Sequence, residues 1–318
     1  MKIVVLDGYT VNPGDNPWHD LGRLGDLEVY DRTPPELVID RARDVEVVLT
    51  NKTRLGAGTF AALPRLRFVA VLATGYDVVD VEAARERGIP VANVPEYGTD
   101  SVAQHAIALI LELAQRVGEH HEAVRAGEWS RAADFSFWKR PPIELAGATL
   151  GLVGLGRIGR RVAGIGRSLG MRVIAASRSR LDAPTWADFA WRTIPELFAE
   201  SDVVSLHCPA TRETAGLVDR HLLSLMKPTA FLVNTARGTL VDETALAEAL
   251  NDGRIAGAAV DVVSEEPVRP GNPLLGARNC IVTPHMAWAS LAARRRLMAA
   301  TVRNVEAFLA GAPIHRVS

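Results

Sequence analysis

Cysteine is scarce. Cys208 and Cys280 are the only 2 in 318 residues, and they are spaced neither like metal ligands nor like a disulfide framework. Each borders an apolar run, which predicts a buried thiol and fits a reducing, cytoplasmic setting. An excess of one charge is missing too. Lys and Arg number 36 against 37 Asp and Glu, a formal net charge of -1. That argues against a general attraction to nucleic acid or to acidic lipid. No apolar run is long enough to span a bilayer. The opening "MKIVVLDG" passes from one lysine through a short apolar run into Asp7 and Gly8, so it reads as a first strand and not as a signal peptide. There is no repeat of fixed period and no low-complexity tract.

What is present is ordinary for a globular chain: 48% hydrophobic and 23% charged residues, with length enough for two domains. In the first third, "IVVL", "LEVY", "VEVVLT", "FVAVLA" and "IPVANVP" read as strands. Between them "PPELVIDRARD", "GTFAALP" and "VEAARERG" read as helices. Such alternation predicts a parallel sheet covered on both faces. A long helix opens at the cap Gly98-Thr99-Asp100. Val102, Ala106, Leu109, Ile110, Leu113 and Val117 fall on one face, and the pattern carries on toward Ala126. An aperiodic arm follows, with Trp129, Phe135, Phe137 and Trp138 either tucked onto the body or meeting a partner chain.

A second alternating block has strands at "ATLGLVG", "MRVIAAS", "DVVSLH", "AFLVNT", "IAGAAVDV" and "CIVTP", and ends in a long amphipathic helix up to Gly311. The expected division is residues 1–98 plus 289–318 as one discontinuous domain and 99–288 as the other, with two connections forming a hinge over a cleft.

The second block opens on Gly154, Gly156 and Gly159, a G-x-G-x-x-G turn between a strand and a helix. In that setting the first glycine permits a tight turn and the second lets backbone approach a pyrophosphate. The third lets the helix pack close to the sheet, and the helix N-terminus offers free N–H groups to phosphates. An acid about 20 residues on would hold the ribose 2'-hydroxyl of NAD. Here it is absent. No Asp or Glu stands between Met171 and Arg180, and Ser177 and Arg178 occupy the strand end, 21 residues past Gly156. A carboxylate there would repel a 2'-phosphate, whereas Arg178 attracts it and Ser177 can donate a hydrogen bond. NADP(H) is therefore expected over NAD(H). The bland alternative is a solvated basic loop.

Three further stretches, "VNTARGTLVDETAL" (233–246), "GAAVDVVSEEP" (257–267) and "TPHMAWAS" (283–290), follow in order. Together with "GLGRIG" they resemble the D-isomer-specific 2-hydroxyacid dehydrogenases. The likeness covers essentially the whole chain and is nearest to the glycerate dehydrogenase and hydroxypyruvate or glyoxylate reductase branch. It implies a flavodoxin-like substrate domain and a Rossmann cofactor domain, both doubly wound α/β, joined by hinge helices, in a typical dimer. It also implies a catalytic trio of Arg237, Glu266 and His285. Asp261 is expected to hold the nicotinamide carboxamide. Thr74 and Gly75, with Arg237 and His285, are expected at the substrate. Arg157, Ile158, Cys208, Pro209, Thr214, Thr235 and Ala236 complete the expected cofactor contacts.

The chemistry stands independently of that likeness. Reducing a 2-oxo acid needs a hydride, a proton for the carbonyl oxygen and a cation for the carboxylate. Histidine exchanges protons near neutral pH, a neighbouring carboxylate favours its charged form and orients the ring, and arginine grips a carboxylate by two parallel bonds. The remaining histidines, His19, His105, His120, His121, His207, His221 and His315, carry no such motif and read as structural or solvated. His207-Cys208 has no second ligand pair, so no metal site is expected. "ARRRL" (293–297) reads as a solvated helix face. Lys52, Tyr76, Trp138 and Trp288 are candidates to line the substrate pocket, with Trp288 equally a core or interface aromatic. The expected activity is NADPH-dependent reduction of hydroxypyruvate or glyoxylate. The alternatives are phosphoglycerate or D-lactate as the substrate acid, or a nucleotide-sensing corepressor.

Overall fold

The computed structural model describes residues 1–180 and 183–318. The chain divides into 2 compact units, 1–98 with 288–318, and 99–287.

In the first unit the elements run β1 (Lys2–Val5), α1 (His19–Gly22), β2 (Asp26–Val29), α2 (Val38–Ala42), β3 (Val47–Thr50), α3 (Ala57–Ala62), β4 (Phe68–Val71), α4 (Val81–Glu86) and β5 (Val91–Ala92). They form one parallel sheet in the order β2-β1-β3-β4-β5, with Val4 opposite Val48 and Val48 opposite Val69. Side chains of a strand alternate between faces. Thus Ile3, Val5, Val47, Leu49 and Phe68 enter one core, while Val4, Val48, Val69 and Val71 enter another beneath α2, α3 and α4.

In the second unit come α5 (Thr99–Gln115), α6 (Val117–Arg125), β6 (Thr149–Val153), α7 (Arg157–Ser168), β7 (Arg172–Ala176), β8 (Ala190–Trp191), α8 (Ile194–Glu200), β9 (Val203–Leu206), α9 (Arg220–Leu225), β10 (Phe231–Asn234), α10 (Glu243–Asn251), β11 (Gly257–Val260) and β12 (Cys280–Val282). Their sheet is parallel throughout, in the order β12-β11-β10-β9-β6-β7-β8. The alternation recurs: Leu150, Leu152, Val173, Ala175 and Val233 pack under α5 and α7, and Val153, Ile174, Leu206, Leu232 and Val260 pack under α8, α9 and α10. The final helix, α11 (Leu291–Leu309), belongs to the first unit, where Ala293, Leu297, Met298 and Val305 cover the first of its two cores.

Four sequence expectations need correction. The long helix does not run unbroken to Ala126. Arg116 takes a left-handed φ of 51°, and Glu112 turns back to accept the N–H of Gly118, so the chain restarts as α6. The edge strand β8 is too short to show a period. "ARRRL" is not wholly a solvated face: Arg294 is buried, at 7% exposure. It makes two parallel bonds to Asp15 (2.5 and 2.7 Å) and donates to the carbonyls of Val11 and Ala289. The two thiols are partly rather than fully buried. Burial still pushes Cys208 up and Cys280 to about 12. Among the described residues no helix is long and apolar enough to cross a membrane.

Candidate active site

In an open parallel sheet, ligands meet the carboxyl ends of the strands near the point where strand order reverses. In the second unit that point lies between β6 and β9. The glycine turn follows β6. Gly154 has φ +97°, and a β-carbon on it would stand 2.7 Å from the His207 carbonyl carbon. Gly159 lies so close to the Gly154 carbonyl oxygen that a β-carbon would come within 2.2 Å, whereas the space around Gly156 is open. Gly156 caps α7, so Arg157 and Ile158 form its first turn. His207, just past β9, is held by Ser205 Oγ at 2.9 Å from Nε2. Burial pushes it down to about 4, so its ring is neutral beside the turn.

At the end of β7, Ser177 is half-buried and Arg178 is 89% exposed, with Glu213 Oε2 at 3.9 Å. Glu213 was not anticipated; nothing in its neighbourhood of sequence points to β7. Its loop is self-tied. Thr214 Oγ1 donates to the Pro209 carbonyl (2.8 Å) and accepts from Thr211 N–H (2.8 Å).

The other three motifs follow β10, β11 and β12, which are neighbours in the sheet. That adjacency is why stretches far apart in sequence share one edge. Asn234, buried at the end of β10, receives Ala236 N–H on Oδ1 (3.0 Å) and donates Nδ2–H to the Arg237 carbonyl (2.9 Å). It thereby shapes the turn presenting Arg237, whose guanidinium also donates to the Ala236 carbonyl (2.8 Å). Gly238 lies flat against the backbone of Val263 and Ser264. Glu243, at the start of α10, accepts from Ser264 N–H (2.5 Å), Ser264 Oγ (2.9 Å) and Asn272 Nδ2 (2.8 Å). The Arg237 turn and the Glu266 loop are thus docked on each other.

Glu266 Oε2 lies 2.6 Å from His285 Nδ1, and Glu266 Oε1 accepts the N–H of Val263 (3.3 Å). His285 itself adopts φ 52°, a left-handed conformation that residues other than glycine take at a cost. Its N–H donates to the Asp261 carbonyl (2.8 Å). Asp261 is 1% exposed. Its carboxylate accepts from Thr283 Oγ1 (2.6 Å), Met286 N–H (2.9 Å) and Ala287 N–H (2.9 Å). Burial alone would raise this carboxyl, but the nearby His105 ring and the hydrogen bonds from Thr283, Ala287 and Met286 outweigh it and the net direction is down. Asp261 is therefore ionised and spent largely on its own loop. Sequence reasoning did not foresee that bracket, nor Thr283 and His105 beside it.

One buried atom lacks a partner. Thr235 Oγ1, on a residue 8% exposed, has none among the described residues. With the open ground at Gly156, it leaves polar capacity suited to a dinucleotide. The described residues hold no group of three metal-ligating side chains. In the first unit, Thr74 Oγ1 donates to the Val94 carbonyl (2.8 Å) and Asn93 Nδ2 to the Thr74 carbonyl (2.7 Å), which fixes the turn leading to Gly75. The Asp7 carboxylate accepts the N–H groups of Asn51, Lys52 and Thr53. Trp288 sits edge-on to Tyr97 with ring centres 6.3 Å apart, in the core of this unit.

Known proteins resemble this chain in sequence and fold. Residues 107–287 match the D-isomer specific 2-hydroxyacid dehydrogenase, NAD binding domain. The chain is 48% identical to a hydroxypyruvate reductase of Blautia hydrogenotrophica over 100% of both chains. It is 40% identical to a glycerate dehydrogenase of Methylorubrum extorquens, over 98% of this chain and 97% of that one. A Sinorhizobium meliloti NADPH-dependent glyoxylate/hydroxypyruvate reductase, solved with NADP and malonate, superposes with a TM-score of 0.85 at 32% identity, covering 100% of this chain and 96% of that one. The fold, the site and these relatives together make the chain a member of the D-isomer specific 2-hydroxyacid dehydrogenases.

Proposed function

We propose that this dehydrogenase reduces hydroxypyruvate and glyoxylate, drawing on NADPH in preference to NADH, with Arg237, Glu266 and His285 as its catalytic residues. The observation that carries the reading is the 2.6 Å contact between Glu266 and His285, on a loop docked against the Arg237 turn. Glu266 occupies Nδ1, which leaves Nε2 of His285 to meet the carbonyl oxygen of a 2-oxo acid. Bound nicotinamide supplies the hydride. His285 gives its proton to the oxygen as charge develops there, and Glu266 balances the imidazolium before that transfer. In the oxidation direction His285 takes the proton back. Arg237 holds the substrate carboxylate and draws electron density from the adjacent carbonyl. Thr74 and Gly75 are proposed as carboxylate-binding backbone in the first unit.

The NADPH preference rests on Ser177 and Arg178 and on the absence of any carboxylate along β7 and its end. A 2'-phosphate there meets a guanidinium that is in loose contact with Glu213, at 3.9 Å. Named relatives that reduce hydroxypyruvate or glyoxylate support the substrate class. A homodimer is proposed from the arm after α6, where Phe135 is 91% exposed and Trp138 60%. So much apolar surface on one segment favours burial against another chain.

The deciding experiment is steady-state kinetics with glyoxylate, hydroxypyruvate, pyruvate and phenylpyruvate, each with NADPH and NADH. The expected result is the highest kcat/KM for hydroxypyruvate or glyoxylate with NADPH. A clear preference for pyruvate, or for NADH, overturns the corresponding half of the reading.

A further inference from the structure

Asp261 grips the His285 loop on both sides of the histidine, and something must in turn hold Asp261. Its Oδ1 lies 2.6 Å from Thr283 Oγ1. A hydroxyl has one proton, and the ionised Asp261 has none to give. The proton in that short bond therefore belongs to threonine, and Thr283 turns a lone pair elsewhere. His105 Nε2 stands 3.2 Å from the same oxygen and 3.5 Å from Asp261 Oδ1. With the threonine proton already committed, the contact works only if His105 Nε2 carries a hydrogen and donates it. His105 belongs to α5, whose packing against β10 and β11 gives the donor a rigid base.

We propose that His105 is a positioning residue for the proton donor. Its Nε2–H holds the Thr283 hydroxyl in the rotamer that faces Asp261. Asp261, so fixed, keeps the N–H groups of Met286 and Ala287, and with them the left-handed backbone of His285. Such a conformation persists where the surroundings over-determine it. His105 touches neither the proposed substrate nor the cofactor in this account; it acts through Thr283 and Asp261. This assignment replaces the bland reading of His105 as a structural or solvated histidine. Its kinetic consequence rests on the proposed role of His285, while its structural consequence does not.

The test uses the full-length protein and two readouts. The first is amide hydrogen exchange, by mass spectrometry, on a peptide spanning 284–289, with the β6 peptide as an internal reference. In His105→Phe an aromatic ring, somewhat larger, stays and the donor goes. Exchange at Met286 and Ala287 should quicken by about tenfold, with β6 unchanged. His105→Gln, whose amide N–H reaches a similar place, should restore it. Thr283→Val should mimic His105→Phe, and the double variant should be no worse than Thr283→Val alone, because the two residues act in series. The second readout is kinetic: kcat falls by about tenfold in His105→Phe, KM for NADPH holds, and Gln rescues. Unchanged exchange in His105→Phe, no rescue by Gln, or additive effects with Thr283→Val overturn the proposal. If the wild type reduces no 2-oxo acid yet the exchange pattern appears, the proposed function fails and the positioning stands.

Discussion

A β-carbon on Gly238 would stand 1.9 Å from the carbonyl carbon of Val263. The turn that carries Arg237 and the loop that leads to Glu266 are thus in backbone contact. Nothing at that contact is a flexible side chain, so Gly238→Ala must push the two segments apart. Overpacking costs about 1–3 kcal/mol where neighbours can yield, and backbone yields least. The expected outcome is a lowered melting temperature and, if the proposed catalytic residues act as assigned, a kcat reduced by about 100-fold, since a displacement near 1 Å in such an array has that effect. Thermal melts and kinetics on one preparation check it; normal kcat in a folded variant refutes it.

How much of this could be read beforehand depends on how local each feature is. Apart from the two-residue β8, the strands of both sheets announce themselves as short apolar runs broken by Gly, Asp or Pro, and their parallel direction follows from the helices between them. The glycine turn is legible because its spacing is local, with Gly159 packed on the Gly154 carbonyl, although Gly154 itself lies against the distant backbone of His207. The break at Arg116 is different. Arginine and valine both suit a helix, and only the left-handed backbone there stops α5. Arg294 looks like its exposed neighbours Arg295 and Arg296 until Asp15 arrives from 279 residues away. Glu213 beside Arg178, Glu243 beneath Ser264 and His105 behind Asp261 are bonds between distant segments, which leave no period in sequence.

The proposed division of labour between His285 and Glu266 is separable by kinetics. His285→Ala should lower kcat by about 100-fold to 10,000-fold, the usual span for a lost general acid, with NADPH affinity by fluorescence titration near normal. Glu266→Gln keeps the shape of the pair and removes its charge. With the carboxylate that orients the ring gone, kcat should fall, though by less than in His285→Ala, while NADPH affinity holds. An unchanged kcat argues against the pairing.

Cofactor choice is predicted to turn on Arg178. A charge-assisted bond to phosphate is worth about 1.5–3 kcal/mol, or roughly tenfold to a hundredfold in affinity. Arg178→Ala should raise KM for NADPH toward the lower end of that range, because the side chain is largely in solvent, and should leave NADH little changed. Glu213→Gln acts the other way. It frees the guanidinium from an exposed pair worth at most about 1 kcal/mol, so NADPH should bind a few-fold tighter. Equal effects on both cofactors would reject the phosphate assignment.

His207 ties stability to pH. Burial lowers it from 6.5 to about 4 in the folded chain. Below about pH 6.5 the unfolded chain takes up a proton that the folded chain refuses, so the favourable contribution is complete above that pH and is lost as pH falls toward 4. The gap between the two values corresponds to about 3 kcal/mol as a ceiling. The residue keeps some contact with solvent, so about half of that is the working figure. Carboxylates held low by hydrogen bonds, Asp261 among them, destabilise the fold in the same direction, but mainly below the ordinary carboxylate range. Between pH 6.5 and about 4.5 the His207 contribution is therefore separable from theirs. His207→Gln removes the titrating group while keeping a polar partner for Ser205. Urea unfolding of wild type and variant at pH 7, 6, 5 and 4.5 should show the wild type losing stability faster across this window, with the curves drawing together as pH falls. Parallel curves would mean that His207 is protonated in the folded chain as readily as in the unfolded one, and that the ring beside Gly154 is not the neutral group proposed.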